Sequence, residues 1–274
     1  AQMLVGRKIP YIITPHGGLS PHIQMRNRVK KIIYNNLIER RRFRRASALT
    51  AVLPAESREI VAFCGNNKPI FVAPSPFTIE LPDDSVRWGG ADSNKITYLG
   101  RFDLQHKGID RLILLSRLMP EFDFELYGPE RAGERLPAEW QSLVPPNLHF
   151  KPPVYGEEKN GVLLRSRLYI QYGRWEAFGI SIAEAMALGV PCAVSNALHI
   201  AESMAEHSLG LILEGDPGAD AGKLRAALSD QGALLGYSER ARHYARAHYS
   251  VEAVARQFCG VYEEVLNTGG HKRA

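Results

Sequence analysis

The chain has 274 residues, 45% of them hydrophobic and 23% charged, with a formal net charge of +5. Such a balance is ordinary for a globular protein able to bury one large core or two moderate ones. It argues against an integral membrane protein, since no apolar run approaches the roughly 18–20 residues that span a bilayer, and the first residues do not read as a signal peptide. Cys64, Cys192 and Cys259 are odd in number, far apart and without metal-ligand spacing. Cys192 lies in the apolar run Val190 to Val194, so a reduced core thiol and a cytoplasmic location are expected.

The segment Lys8 to Thr14 is rich in β-formers and runs into Pro15-His16-Gly17-Gly18, a loop in which glycines allow close backbone approach to a ligand. A strand this early suggests that the opening of a doubly wound domain precedes it, so the first domain is expected to be incomplete. A helix is expected over 24–45, with Val29, Ile32, Ile33 and Leu37 forming an apolar face. The rest of that helix is basic: Arg26, Arg28, Lys30, Lys31, Arg40, Arg41, Arg42, Arg44 and Arg45 against Glu39. A solvated helix face is the plain reading. The sharper one is contact with anionic lipid headgroups or with an acidic or lipid-diphosphate acceptor. Nucleic acid is not expected, because no recognition motif or stacking platform accompanies the charges.

Ala48 to Leu53 reads as a strand, Ala55 to Cys64 as a helix and Ile70 to Ala73 as a further strand. Polar, turn-rich residues from Pro82 to Lys95, among them Asp84, suit an interdomain connection. Ile96 to Gly100 then opens a second series: a loop from Arg101 to Gly108, a helix over Ile109 to Leu118, strands at Phe122–Tyr127 and Leu148–Lys151, and a helix at Glu157–Ser166. Leu168 to Tyr172 is a short apolar strand, Ile180 to Leu188 a helix of good formers, and Pro191 to Val194 another strand. Gly189 and Pro191 end that helix. At its other end, the junction at Gly179 points backbone N–H groups and the positive end of the helix dipole outward, an arrangement suited to phosphate. Glu176 precedes this junction. Glu184 sits among Ala183, Ala185, Met186, Ala187 and Leu188, and a charge in such company usually has a partner or ligand. From Gly218 the chain reads as helical to about Asn267, with breaks near Gly232, Gly236 and Ser250.

Glu176-Ala-Phe-Gly, the seven residues between Glu176 and Glu184, and Glu-Ala-Met-Ala-x-Gly-x-Pro together resemble the signature of retaining glycosyltransferases of family 4. Gly100-Arg101, a five-residue gap and Lys107-Gly108 resemble the diphosphate site of the same family. The resemblance runs from Lys8 to Asn267. It implies an α/β protein with the GT-B-like fold, two Rossmann-like doubly wound domains of which the N-terminal one is incomplete. The expected organisation is a partial acceptor-side domain over 1–81, a connection over 82–95 and a nucleotide-sugar-binding domain over 96–249. A C-terminal helix over 250–267 returns toward the first domain, and a disordered tail follows over 268–274.

The resemblance also implies roles. Arg101 and Lys107 hold the diphosphate of a nucleotide-diphosphate sugar donor, Glu176 and His16 meet the donor sugar, and Glu184 holds the ribose, with Phe178, Gly179 and Ile180 forming the rest of the donor site. A cation about 4 Å from the leaving diphosphate contributes roughly 4 kcal/mol at an effective dielectric near 20. A helix end contributes up to ~2 kcal/mol, so the two side chains should dominate. No Asp-x-Asp triplet occurs, so neither a metal site nor any other cofactor is expected. The implied activity is sugar transfer with retention of configuration, in cell-surface polysaccharide or glycolipid synthesis, to a saccharide or lipid-linked acceptor. The protein would then be cytoplasmic, with peripheral contact at the inner face of the membrane through 24–45. The rival expectations are a non-catalytic nucleotide-sugar-binding module and another GT-B activity, an epimerase or a phosphorylase. Two departures from the family pattern stand out: Ser75-Pro76 replaces an Asn-Gly pair, and Asn196 to Glu202 replaces a Gly-Gly turn followed by Glu.

Overall fold

A computed structural model describes residues 9–25, 27–65, 68–83, 85–129 and 137–270, with Gly269 and Gly270 described for their backbone alone. Lys8, Arg26, Asp84 and 271–274 therefore lie outside the described residues. The chain forms two compact units, one of Ala1–Ser75 with Val251–Ala274, the other of Pro76–Ser250.

The first unit is built on a parallel three-stranded sheet of β1 (Ile12–Ile13), β2 (Ala48–Ala51) and β3 (Ile70–Val72), in that order. Ile13 stands beside Leu49, and Leu49 beside Ile70. Helix α1 (Pro21–Met25), α2 (Arg28–Tyr34), a π-helical turn (Asn35–Glu39) and α3 (Arg40–Arg45) carry the chain from β1 to β2, and α4 (Pro54–Cys64) leads to β3. Phe43, Ala46, Leu49, Ala51 and Ile60 form the core, and Phe43 meets Phe63 edge-on at 5.3 Å.

The single helix expected over 24–45 is interrupted. Asn27 takes a left-handed conformation, φ 53°, and separates α1 from α2; Asn is one of the few residues that tolerate this. The apolar stripe of the segment is exposed, with Met25, Val29 and Leu37 each at 70–72% of their full accessibility.

In the second unit the sheet contains β4 (Lys95–Leu99), β5 (Asp123–Tyr127), β6 (Leu148–Lys151), β7 (Leu168–Gln171), β8 (Cys192–Ser195) and β9 (Leu211–Leu213). All are parallel, in the order β6-β5-β4-β7-β8-β9. The intervening helices are α5 (Ile109–Leu118), α6 (Ala138–Gln141), α7 (Gly156–Leu164), α8 (Ile180–Leu188), α9 (Ile200–Glu206), α10 (Pro217–Ser229) and α11 (Gln231–Tyr249). Helix α5 buries Ile109, Leu112, Ile113 and Leu115 completely, each burial stabilising by roughly 1.5–3 kcal/mol. The direction of strand ordering reverses between β4 and β7. In open parallel sheets, the crevice at the carboxyl ends of two such strands is where ligands bind.

Two expected boundaries move. The long helical stretch breaks at Asp230, not at Gly232 or Gly236. The Asp230 carboxylate accepts a hydrogen bond from the Ala233 N–H at 2.9 Å and starts α11, whose first turns absorb both glycines. The final helix α12 (Val251–Gly270) includes residues 268–270, expected to lie in a tail, and its buried Ala253, Val254, Val261 and Val265 form one stripe. The stretch Pro82 to Lys95 falls within the second unit, where Trp88 is buried and donates to the Ser166 carbonyl at 2.7 Å.

Candidate active site

The loop after β4 carries Arg101 and Lys107, and the loop after β7 carries Glu176, Phe178 and Gly179, so both leave the sheet at the reversal point. They touch through backbone. Gly108, at φ 70°, has no room for a side chain, because a Cβ there would lie 2.2 Å from the Tyr172 carbonyl oxygen. The Arg174 N–H donates to the His106 carbonyl at 3.0 Å. The Arg174 guanidinium grips Asp110, at the start of α5, with bonds of 2.8 and 2.6 Å, and also donates to the Gln105 carbonyl at 2.9 Å. This bidentate pair staples one loop to the other, and the neighbouring Asp110 carboxylate raises the Arg174 pKa.

At the mouth of the staple, the Lys107 ammonium is ion-paired with the Glu176 carboxylate, both side chains being mostly buried. Glu176 packs against Gly179, whose position would bring a Cβ within 3.4 Å of the Glu176 Cγ. Gly179 is left-handed, φ 79°, and starts α8. The N–H groups of Ile182 and Ala183 turn back to the Gly179 carbonyl, which leaves those of Ile180 and Ser181 outermost on the helix. Arg101 opens the first loop, exposed, with its carbonyl accepting from the Tyr98 hydroxyl at 2.9 Å. Burial raises the Tyr98 pKa well above its ordinary value, and Glu176 and Arg101 both act on it at electrostatic range. Sequence thus named Lys107, Glu176 and Gly179, and these three lie together.

Glu184 faces inward on α8 at 4% exposure, and Lys159 from α7 reaches its carboxylate at 2.8 Å. Phe178 is buried edge-on to Tyr249 at 5.0 Å, while Ile180 is nearly half exposed. The His199 N–H donates to the Glu176 carbonyl at 3.2 Å and so braces the second loop from α9. His106 stacks on Trp175, ring centres 5.2 Å apart; desolvation, followed by the Lys107 charge, lowers its pKa.

His16 belongs to the first unit, in the loop after β1, exposed and left-handed at φ 48°. The next residue, Gly17, donates its N–H to Glu56, a completely buried carboxylate in the first turn of α4. The other Glu56 oxygen accepts the Val52 N–H at 2.7 Å. Burying an ionised carboxylate costs several kcal/mol, so these bonds have to compensate. Lys159, Arg174, Asp110 and Glu56 were not singled out from sequence. Lys159 and Glu56 sit among polar neighbours that read as solvent-facing, and only the two first-turn carboxylates, Asp110 and Glu56, carried a local hint.

Two parallel-sheet α/β units, the second with a loop pair at its reversal point, define the GT-B class of fold. Solved structures agree. Sucrose-phosphate synthase from Thermosynechococcus elongatus superposes with a TM-score of 0.78 at 18% identity, over 97% of this chain and 71% of that one. Anabaena HepE, solved with UDP-glucose, gives 0.74 at 19% identity, over 95% and 74%. The chain belongs to the glycosyl transferases group 1 family, whose model matches residues 87–248, more than half of its length. A phosphatidyl-myo-inositol mannosyltransferase of Propionibacterium freudenreichii is 34% identical over 116 residues, 40% of this chain but only 28% of that protein. An N-acetyl-alpha-D-glucosaminyl L-malate synthase of Bacillus anthracis is 26% identical over 97% of this chain and 71% of its own length.

Proposed function

We propose that the protein transfers a sugar from a nucleotide-diphosphate donor to an acceptor with retention of configuration. The observation that carries this reading is the Lys107–Glu176 pair at the sheet's reversal point, beside the Gly179 end of α8. Breaking the bond between the sugar and the diphosphate builds negative charge on the departing oxygen. Lys107 and Arg101 offset that charge as fixed cations, and the outermost amides of α8 position the phosphates. Glu176 accepts hydrogen bonds from the donor sugar hydroxyls. In doing so it hands the Lys107 ammonium over to the phosphate, so the existing ion pair keeps both groups oriented until the donor arrives.

Glu184 accepts from the ribose hydroxyls, and Lys159, paired with this nearly buried carboxylate, aligns it. Phe178 and Ile180 complete the donor wall. His16 is assigned to the donor sugar by the family resemblance alone. The acceptor hydroxyl then attacks the anomeric carbon from the face the diphosphate leaves, and a phosphate oxygen of the leaving group takes its proton.

The basic segment is read as a peripheral contact with an anionic membrane, as suits a lipid-linked acceptor in glycolipid or polysaccharide synthesis. Its support is the exposed stripe of Met25, Val29, Ile32, Ile33 and Leu37 beside Arg28, Lys30, Lys31, Arg40, Arg41, Arg44 and Arg45. No described helix is long and apolar enough to cross the bilayer. The associated location is the cytoplasmic face.

The test is a panel of uridine and guanosine diphosphate sugars, scored by thermal shift on the wild type and Glu184→Ala. One preferred donor is expected, with its stabilisation largely lost in the variant. Equal stabilisation of both proteins would overturn the ribose role. Binding of a donor without release of nucleoside diphosphate to any acceptor would favour a non-catalytic module.

A further inference from the structure

We propose that Glu56 is a positioning residue for His16, an inference that rests on the donor-sugar role given to His16 above. Its two carboxylate oxygens do different work. One accepts the Val52 N–H, just before α4 begins, as a residue in the first turn of a helix often does. The other reaches a backbone N–H 39 positions away, that of Gly17, immediately after His16. A helix cap alone requires neither complete burial nor this second bond. The loop needs a tether, because His16 at φ 48° and Gly17 at φ 74° are consecutive left-handed residues, a conformation that His holds only when its surroundings impose it. The Thr14 and Thr50 hydroxyls, bonded to each other, fix the loop's other end to β2. The Gly18 N–H to Pro15 carbonyl bond of 2.9 Å closes the turn between them. His16 is left as the exposed point of a loop held from beneath by a buried anion.

The first variant is Glu56→Asp, whose carboxylate is drawn back by one methylene from its N–H partners, that of Gly17 among them. Glu56→Gln, of unchanged length, serves as a second variant. In the 274-residue chain, hydrogen exchange at the Gly17 amide should be protected in the wild type and open in Glu56→Asp by more than the fall in global stability accounts for. With UDP-glucose and GDP-mannose as the probes, release of nucleoside diphosphate from whichever is turned over should fall by about 10²-fold in kcat, with the donor KM unchanged. His16→Ala should show the same loss, and the double variant should be no worse than His16→Ala within about twofold, since the two side chains act as one unit. An unchanged Gly17 exchange rate, a loss that multiplies in the double variant, or a fall in melting temperature with kcat intact would each overturn the proposal. A silent His16→Ala would instead remove the reading on which it rests, while the exchange rates would still report the tether.

Discussion

The loops at the reversal point of the large sheet and the basic segment 21–45 use charge in opposite ways. In the loops and the helices beside them, Lys107 pairs with Glu176, Lys159 with Glu184 and Arg174 with Asp110, all partly or wholly buried. In the segment, Arg42 pairs with Glu39, while Met25, Val29 and Leu37 stand open beside a run of cations. Buried, compensated charge can be aimed at one small molecule, because low dielectric and fixed geometry strengthen each contact. Exposed charge beside exposed apolar surface is weak per residue and indifferent to fine geometry, as suits a broad, deformable partner. On the proposed reading, the contrast separates recognition of a donor from residence near an acceptor.

The contrast can be broken most sharply at Lys107. On the proposed role, Lys107→Ala should remove about 4 kcal/mol of leaving-group stabilisation, which corresponds to roughly a thousandfold loss of kcat/KM for sugar transfer. A loss below tenfold would mean that the pair is structural. Arg174→Ala should cost less, about 10²-fold through misplaced loops, and Arg174→Lys should restore little because it cannot grip Asp110 with two parallel bonds. Full recovery in the lysine variant would dissolve the staple. On the other side, Val29→Glu with Leu37→Glu should weaken flotation with vesicles of anionic phosphatidylglycerol by about tenfold or more, leaving donor binding intact. Unchanged flotation would assign the stripe to another partner.

The smallest effect expected is on stability at low pH. His106 is held neutral below its ordinary value of 6.5 by burial and by Lys107. The unfolded chain therefore takes up the proton first. The contribution is fully present above that ordinary value and is lost as pH falls from it toward the lower folded pKa. Denaturant titrations of His106→Asn should show a shallower loss of stability on acidification, and an identical slope would remove His106 from the account.

Much of this was legible in the residues, for identifiable reasons. Helices α5 and α8 were read at their observed bounds because Gly108, Gly179 and Gly189 punctuate them. The strands around them are short apolar runs between such marks. Strand β9 was not read: Leu-Ile-Leu following Gly210 is too brief for any period to register. Asn27 was missed because an amphipathic pattern continues across it, and the pattern carries no record of one left-handed residue. Within the site, motif spacing brought out Lys107, Glu176 and Glu184. Lys159 and Glu56 escaped because their meaning depends on contacts 25 and 39 positions away, which no local pattern encodes.

The crowding at Gly108 has a counterpart at Gly128, where a Cβ would sit 1.8 Å from the Gly100 carbonyl oxygen. At both points peptide is pressed on peptide, with no space for a side chain. On the proposed donor role, retuning for a different sugar nucleotide would have to leave Gly108 and Gly128 alone and introduce diversity at positions such as Phe178, Ile180 and Lys159.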